Sequence, residues 1–428
     1  MANKFDFTII GAGPMGLYLA YLLARSGKKI RIFDSNLLPG GHARPIIFNG
    51  ILIEIFYHFF YKNDHLSASK WIDAFAKKKI AWKKINTEII RNNSNKLDNL
   101  DGLFKIISIY KVQSIRIIFQ LLKLFLFSIP KNINKKKAFV WSREVFGEKF
   151  SKDIWEPLLE GKFESNWKNI SALWLATRIK RHLSTKDLKS RKSLFGYLVN
   201  TYLSTINNNI KFLKKNKAQI NMGVKIKKII IKDNKVIAIR TAKGKVIKIN
   251  EKVVSTLPLF ILKKIIDNKK LSYLKKFKGM GVIVCLLEYK FKLSDAYWTS
   301  ISHSNLSFNA IIQQNRLFSK SKREIIYTSK YTSINSKLFK TKEAKIKKRI
   351  ILDIKKFYPE FDPTKIISFK IFKSTGAAPV PSLSTVNNLP PLKSILDNFW
   401  HGGLEYIYPE DRGVGNSIEI SDRLFKQF

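Results

Sequence analysis

The first part of the chain alternates apolar runs with small or charged residues in a way that predicts a β-α-β unit. Apolar runs at 5–10 and 29–34 each predict a short strand. Between them, apolar residues at helical spacing over 15–26 predict a helix, which Gly27 terminates. Two strands joined by one helix form a parallel unit with a right-handed crossover. The chain therefore begins as an α/β fold with a parallel sheet.

Helical periodicity dominates from about 65 to 190 and predicts a helical insertion. The periodic apolar positions are centred on 71–75, 115–127, 145–155 and 173–182, and the Asn-rich stretch 92–99 predicts a loop. The apolar stretch 115–129 contains Arg116, Gln120 and Lys123, whereas a transmembrane helix needs about 20 mostly apolar residues. We therefore expect this helix to be buried in the protein, with an interfacial helix as the alternative.

Short apolar runs separated by turn residues predict a return to strands from 219 onward. Strands are expected at 219–231, 235–241, 245–249, 253–256, 282–289, 324–329 and 366–372, with helices at 343–357 and 413–428. The order predicts an α/β fold with two domains. A discontinuous Rossmann-like domain is built from 1–64, 191–270 and 391–428, and a mixed α+β domain with the helical insertion from 65–190 and 271–390.

The chain of 428 residues carries a formal net charge of +48, which raises the hypothesis of a nucleic-acid or membrane partner. The excess is mostly Lys and is spread from Lys4 to Lys426. Lys is enriched together with Ile and Asn, as codon bias in an AT-rich genome also produces. Base recognition favours Arg, and no nucleic-acid-binding motif accompanies the charge. We therefore interpret the charge as a solvated Lys-rich surface and expect no specific nucleic-acid partner.

Cysteine and histidine usage narrows the chemistry further. Cys285 is the only cysteine, which excludes a disulfide framework and a Cys-ligated metal cluster within this chain. The histidines lack metal-ligand spacing, so no metal site is predicted. Because no signal-peptide pattern precedes the first strand, we expect a cytoplasmic protein, with peripheral contact to the inner face of the membrane as an open alternative. The oligomeric state stays open.

Gly11-Ala12-Gly13-Pro14-Met15-Gly16 fits the pattern G-x-G-x-x-G between a predicted strand and a predicted helix. In this pattern Gly11 permits the tight turn, Gly13 lets the backbone approach a pyrophosphate, and Gly16 allows close packing of helix on strand. Asp34 ends the second strand about 20 residues later, where a carboxylate accepts hydrogen bonds from ribose hydroxyls and disfavours a 2′-phosphate. The motif therefore predicts a site for FAD or NAD rather than NADP.

A second glycine pair follows at Gly40-Gly41, and with it the sequence resembles the flavin-dependent amine oxidase and protoporphyrinogen oxidase-like superfamily. The segments that carry the resemblance are Gly40-Gly41-His42-Ala43-Arg44, Gly223-Val224, 253–258, and 407–413 with Asn416. Residues 155–172 resemble the helical insertion of bacterial FAD-dependent oxidoreductases. The resemblance implies FAD as the cofactor. It would be bound by Gly11, Gly13, Pro14, Met15, Gly16, Asp34, Gly40, Gly41, His42, Ala43, Arg44, Val224, Asp411, Arg412 and Asn416.

The last predicted helix opens at Gly413, and the resemblance places it at the flavin. Its N-terminal N–H groups would face the N1/C2=O edge of the flavin, where a helix end stabilises negative charge by about 0.3–1 kcal/mol. Arg412 would add to this effect or pair with Glu410. No motif identifies a catalytic group. The candidates are Tyr57 and His58, where the chain leaves the cofactor region, and Tyr406, by comparison with the aromatic cage of amine oxidases. A core aromatic cluster is the favoured interpretation of Tyr57 and His58, and packing explains Tyr406 as well as catalysis does.

The expected reaction is oxidation or desaturation of a C–N or C–C bond by hydride transfer to flavin. The partners would be a small-molecule substrate and an electron acceptor. Residues 58–64 and 405–408 also resemble UDP-galactopyranose mutases, which are flavin isomerases without net redox change, and this is the first alternative. A non-catalytic basic FAD-binding protein, attached to membrane or nucleic acid, is the second.

Overall fold

The computed structural model describes residues 5–61, 65–76, 80–93, 96–99, 103–187, 189–190, 192–302, 305–319 and 322–428. Its strands are β1 Phe7–Ile10, β2 Ile30–Phe33, β3 Pro45–Phe48, β4 Ile51–Glu54, β5 Ile80–Asn93, β6 Lys96–Asn99, β7 Ser193–Leu198, β8 Gln219–Asn221, β9 Ile226–Lys232, β10 Lys235–Thr241, β11 Val246–Lys248, β12 Lys252–Ser255, β13 Gly279–Tyr289, β14 Ala296–Ser302, β15 Ala310–Gln313, β16 Glu324–Thr332, β17 Ile366–Pro379 and β18 Phe399–His401.

The α-helices are α1 Pro14–Arg25, α2 His65–Phe75, α3 Leu103–Tyr110, α4 Gln113–Leu126, α5 Ala138–Phe146, α6 Glu148–Phe150, α7 Glu156–Phe163, α8 Ala172–Leu183, α9 Leu203–Lys215, α10 Leu259–Leu262, α11 Gln314–Leu317, α12 Lys337–Lys340, α13 Glu343–Phe357, α14 Leu383–Val386 and α15 Val414–Phe425. A π-helix at Ser151–Trp155 joins α6 to α7. Short 3₁₀ segments occur at Gly41–Ala43, Lys131–Lys135, Glu164–Asn169, Lys269–Lys276, Pro363–Lys365 and Leu404–Ile407.

The first sheet is the parallel sheet that the sequence predicts. Its strand order is β18-β12-β1-β2-β8, and each neighbouring pair is parallel. All residues of β1 and β2 are buried, which explains why both strands are apolar runs without alternation. The five strands come from three separate stretches of the chain, 7–33, 219–255 and 399–401. The discontinuous Rossmann-like α/β fold is therefore confirmed.

The second sheet is larger and mostly antiparallel. Its strand order is β17-β13-β16-β15-β14-β5-β6, and β7 pairs with β5 beyond this path. Helix α13 covers one face, because Ile346, Ile350 and Ile354 recur at helical spacing and are buried against the sheet. The sheet contains the mixed α+β fold expected for the second domain.

Two elements at the expected domain boundaries contact the other domain. Strand β7 belongs to the segment 191–270 but pairs with β5 of the second sheet. Helix α2 begins the segment 65–190, yet Trp71 is buried in the core of the first domain, and α2 packs against α15 and α9. The exact division into domains stays a prediction.

Helices α3 to α8 form the predicted helical insertion around their own apolar core, which includes Trp141, Phe146 and Phe163. The loop expected over 92–99 is wrong. Strand β5 runs through Asn93, and Asn92 lies opposite Leu97 of β6; residues 94–95 lie outside the described part of the chain. Pairing with a neighbouring strand satisfies the backbone groups and here outweighs the turn preference of asparagine.

The expectation that residues 115–129 form a buried helix is also wrong. Helix α4 fully buries only Ser114, Ile117 and Leu124. Ile118 and Leu121 are half-buried, and its remaining apolar residues are exposed. Among the described residues, no helix is long and apolar enough to cross a membrane. The insertion thus carries an apolar surface that its own core does not cover.

Candidate cofactor and substrate site

The glycine loop between β1 and α1 leaves open space at the start of the helix. Gly11 has a φ of +113°, which residues with a side chain rarely adopt. A Cβ on Gly16 would lie 2.0 Å from the Gly11 carbonyl oxygen, so glycine is required for this packing of helix on strand. A Cβ on Gly13 would meet no atom within 4 Å. Pro14 then begins the helix, where its missing N–H costs nothing. The loop thus presents N–H groups to a free volume, as a bound diphosphate requires.

Asp34 lies at the end of β2, beside the glycine loop. Its Oδ2 accepts a hydrogen bond from the Ala12 N–H at 2.7 Å, and its Oδ1 accepts one from the Asn36 N–H at 2.8 Å. The Val224 N–H donates to the Asp34 carbonyl oxygen at 2.8 Å. The turn at Gly223 that allows this contact divides the strand expected over 219–231 into β8 and β9. Asp34 and Val224 thus lie together at the loop; their roles toward ribose and adenine stay predictions.

Gly40 and Gly41 form a second turn that lies on the glycine loop. The Gly40 N–H donates to the Ala12 carbonyl oxygen at 2.8 Å. A Cβ on Gly41 would lie 3.0 Å from the Gly13 Cα, so a larger residue would push the two loops apart. Arg44 follows this turn, after the buried Ala43, and its Nε is buried with no hydrogen-bond partner among the described residues. A buried unpartnered guanidinium N–H is costly, and a phosphate group nearby would satisfy it.

The two ends of the chain meet in one packed unit. The Ser421 hydroxyl of α15 donates to the Met15 carbonyl oxygen of α1 at 2.8 Å. Gly402, just after β18, also lies against Met15, because a Cβ there would be 3.3 Å from the Met15 sulfur. Helix α15 begins after Gly413 without a side-chain cap. Its N-terminal N–H groups therefore remain open to an acceptor.

Asp411 is the centre of a partly buried ionic cluster in front of α15. Its carboxylate accepts a hydrogen bond from Lys162 Nζ at 2.9 Å and another from the Arg178 guanidinium. Asn416 Nδ2 donates to the Asp411 carbonyl oxygen at 2.7 Å and links the cluster to α15. Although burial opposes ionisation, the Lys162 and Arg178 cations hold the pKa of Asp411 below its usual range. Burial lowers the pKa of Lys162 to about 7 despite its contact with Asp411.

Arg412 points toward the second sheet and the residues after the Gly-Gly turn. Its guanidinium donates to the Ala377 carbonyl oxygen and to the Tyr331 hydroxyl. Burial, with a smaller contribution from Arg412, lowers the pKa of His42 to about 3 and that of His58 to about 4. Both imidazoles are therefore neutral at pH 7. Arg412 does not pair with Glu410, which lies 3.8 Å from Arg181 instead.

The three catalytic candidates occupy different surroundings. The Tyr57 hydroxyl lies 3.0 Å from the Ser329 Oγ of β16, a strand of the second sheet. His58 follows it in the same region, and residues 62–64 lie outside the described part of the chain. Tyr406 is buried in the core of the first domain, where its hydroxyl contacts His401 Nδ1 at 2.7 Å. Tyr57 and His58 thus remain near Arg412, whereas Tyr406 is a core residue.

A small cavity of about 30 Å³ lies between the helical insertion and the carboxy-terminal segment. Its wall combines aromatic, aliphatic and charged side chains, including Lys162, Trp174, Glu405, Tyr408, Asp411 and Arg412. Burial raises the pKa of Glu405 to about 7, and the Phe260 N–H donates to its carboxylate at 3.2 Å. The cavity thus pairs an apolar wall with groups that hold or exchange a proton near pH 7.

Sequence reasoning missed the roles of Lys162, Arg178 and Tyr331. Lys162 and Asp411 are 249 positions apart, and no periodicity or spacing connects them. The apolar neighbourhood of Lys162 in the sequence, next to Phe163, was the only local signal of a buried lysine. The three residues come from the helical insertion and the second sheet, so only the packing of these units against the carboxy-terminal segment brings them together.

Comparison with known proteins agrees with the amino-terminal geometry. Residues 9–75 match the family model of the NAD(P)-binding Rossmann-like domain. A 4,4'-diapophytoene desaturase (4,4'-diapolycopene-forming) from Methylomonas sp is 44% identical over 54 residues, 13% of this chain and 11% of the desaturase. A thiamine thiazole synthase from Thermotoga maritima is 40% identical over 53 residues, 12% of this chain and 21% of the synthase. The chain thus matches less than a quarter of the length of either curated relative.

Solved structures match the whole chain in fold at low identity. A protein from Exiguobacterium sp. 255-15, provisionally assigned as a protoporphyrinogen oxidase, has a TM-score of 0.74 at 14% identity over 100% of this chain and 99% of its own. Putrescine oxidase bound to putrescine has a TM-score of 0.70 at 10% identity over 99% of this chain and 98% of its own. Reduced UDP-galactopyranose mutase has a TM-score of 0.70 at 14% identity over 99% and 94%. The fold that the resemblance implies is therefore confirmed over the whole chain.

Proposed function

We propose that this protein is an FAD-dependent oxidoreductase that oxidises or desaturates a C–N or C–C bond of a small-molecule substrate. The observation that carries the proposal is that the Gly40-Gly41 turn packs against Gly13, next to the open space beside that residue. Helix α15 packs against α1 in the same unit. A first glycine loop alone would suit NAD as well. The second glycine turn and the uncapped start of α15 give this chain two further backbone surfaces, which suit the longer FAD molecule.

The residues present fit FAD, and each would have a separate task. The N–H groups after Gly13 and the unpartnered Nε of Arg44 would hold the diphosphate, and Asp34 would orient the ribose. The N-terminus of α15 would stabilise negative charge on the reduced ring by about 0.3–1 kcal/mol, or more where the group is partly buried. When bound, FAD would supply two-electron redox chemistry.

The cavity at Lys162 would hold the substrate. Oxidation of an amine or desaturation of a C–C bond removes one hydride and one proton, and the proton needs an acceptor in the cavity. Lys162 lines the cavity with its side chain only 15% exposed. Its pKa is lowered to about 7 by burial, so its neutral amine is available above that pH. We assign proton acceptance to Lys162 Nζ, with Asp411 orienting it. Bound FAD would accept the hydride.

A visible spectrum of the purified protein is the first test. Bound flavin would give a yellow protein, and adding substrate without oxygen would bleach the band, which an electron acceptor would restore. Polyamines and polyenes are the first compounds to try, since putrescine oxidase and a diapophytoene desaturase are among the proteins similar to this chain. A colourless protein that stays colourless after reconstitution with FAD would refute the proposal.

A UDP-galactopyranose mutase-like isomerase is the second candidate. The wall of the cavity carries Lys162 and Arg412, and Arg178 contacts Asp411 from the same side. Three cations in this region would suit a nucleotide diphosphate substrate. A mutase turns over only when the flavin is reduced beforehand and consumes no acceptor.

Flavin that is never bleached by any substrate, together with salt-dependent binding to lipid or DNA, would instead favour the non-catalytic alternative.

A further inference from the structure

Helix α4 presents an apolar stripe to solvent. Val112, Ile115, Phe119, Leu122 and Leu126 are each between 51% and 82% exposed. The last four recur at spacings of four, three and four residues, which places them on one face of an α-helix. Phe127, the next residue, is also exposed. The stripe is thus a continuous surface, unlike single exposed apolar residues, which are common on proteins.

The stripe cannot be covered by rotation of the helix. The opposite face of α4 is already packed, since Ser114, Ile117 and Leu124 are buried against the core of the insertion. The chain after the helix is also attached, because Lys180 Nζ donates to the Phe127 carbonyl oxygen at 2.5 Å. Both faces of the helix are therefore apolar, and one of them faces outward in a fixed position.

The charge along the sequence that contains the stripe is of one sign. Between Leu103 and Arg143 the sequence contains nine Lys or Arg residues and no Asp or Glu. Lys111, two residues before α4, and Lys123 on the helix are both exposed. This arrangement opposes contact between two copies of the chain, because each copy would bring the same positive surface and a total charge of +48 to the interface. It favours an anionic partner.

An apolar row flanked by lysines is the composition of a helix that lies in the interface of a bilayer. Fourteen residues of α4 extend about 21 Å along the helix axis, at 1.5 Å per residue. We propose that α4 docks the protein on an anionic membrane surface, with Phe119, Leu122 and Leu126 inserted among the lipids and Lys111 and Lys123 at the headgroups. The docking is independent of the proposed redox chemistry.

Co-sedimentation of the full-length protein with lipid vesicles tests this proposal. The protein should bind phosphatidylcholine vesicles that contain phosphatidylglycerol, and binding should weaken without the anionic lipid and at high salt. The double substitution Phe119→Ser and Leu122→Ser should weaken binding about tenfold or more, since two large apolar groups no longer leave water. Changing Lys111 and Lys123 to Gln should weaken it about fivefold per residue at low salt.

Leu352→Ser and Ile395→Ser are the matched controls, because both side chains are more than half exposed elsewhere on the protein. They should leave vesicle binding unchanged. All variants should keep the wild-type melting temperature, since the substituted side chains are exposed. Failure of the wild-type protein to bind anionic vesicles would overturn the proposal, as would equal binding by the Phe119/Leu122 variant. A concentration-dependent dimer that this variant abolishes, without vesicle binding, would assign the stripe to a second copy of the chain.

Discussion

Replacing Gly13 with alanine separates cofactor binding from folding. The added methyl group would meet no atom of the protein within 4 Å. Gly13 has φ −74° and ψ −179°, which alanine adopts without strain. Alanine has fewer conformations than glycine in the unfolded chain, and this stabilises the folded state by about 0.4–1 kcal/mol. Alanine is also a poorer N-cap residue than glycine, and this destabilises the folded state by a few tenths to about 1 kcal/mol. We therefore expect a change in folding free energy close to zero.

The same methyl group would occupy the volume that a diphosphate must enter. A phosphate held away from the N–H groups at the start of α1 loses at least one charge-assisted hydrogen bond, worth about 1.5–3 kcal/mol. At about 1.4 kcal/mol for each factor of ten, the dissociation constant for FAD should rise roughly 10- to 150-fold in Gly13→Ala. The flavin absorbance per mole of purified protein should fall accordingly.

Two controls make the measurement decisive. Gly16→Ala would place a Cβ 2.0 Å from the Gly11 carbonyl oxygen and 3.1 Å from Thr256 Oγ1, so it should lower stability by about 1–3 kcal/mol and reduce flavin content through misfolding. Gly376→Ala would make only an ordinary contact, 3.5 Å from Ile261, and should change neither property. Titration of flavin-free protein with FAD, together with thermal unfolding, distinguishes the cases. Wild-type FAD affinity in Gly13→Ala would refute the assignment of the loop.

The remaining predictions concern charged groups at the site. Burial lowers the pKa of Lys162 from 10.5 to about 7. Between about pH 7 and 10 the unfolded chain therefore binds more protons than the folded one, and the free energy of unfolding should rise with pH. Lys162→Met should flatten this rise in chemical denaturation, and an unchanged pH profile would contradict the lowered pKa. Glu405 has a pKa raised by burial from 4.5 to about 7, so stability should fall as the pH rises from about 4.5 to 7, and Glu405→Gln should remove that fall. Asp34→Asn should weaken FAD binding about tenfold in the same titration, because a charge-assisted bond to ribose is replaced by a neutral one; unaltered affinity would exclude Asp34 from the cofactor site.

Much of the first domain could be predicted because its signals are local. About thirty consecutive residues contain β1, the glycine loop, α1 and β2. Each glycine of the loop is explained by the backbone conformation or the close contact at its own position. The helix α13 and strand β10 were predicted with their observed bounds, since periodicity and turn residues define them without long-range partners.

The errors share a different cause. Strand β6 forms in an Asn-rich stretch because β5 supplies its hydrogen-bond partners, and sequence patterns do not contain that pairing. The spacing of the apolar residues in α4 predicts a helix, but it does not predict which of these residues another part of the protein buries. The direction in which the stripe faces therefore depends on which face packs on the insertion core.

The amino-acid sequence by itself determined a Rossmann-like fold, since glycine conformation and strand-helix alternation act over short distances. Tertiary structure alone decided the chemistry of the cavity. Lys162, Arg178 and Asp411 come from separate parts of the chain, and a buried charge acquires its pKa from neighbours and from lost hydration. Those neighbours exist only after the insertion and the carboxy-terminal segment have packed together.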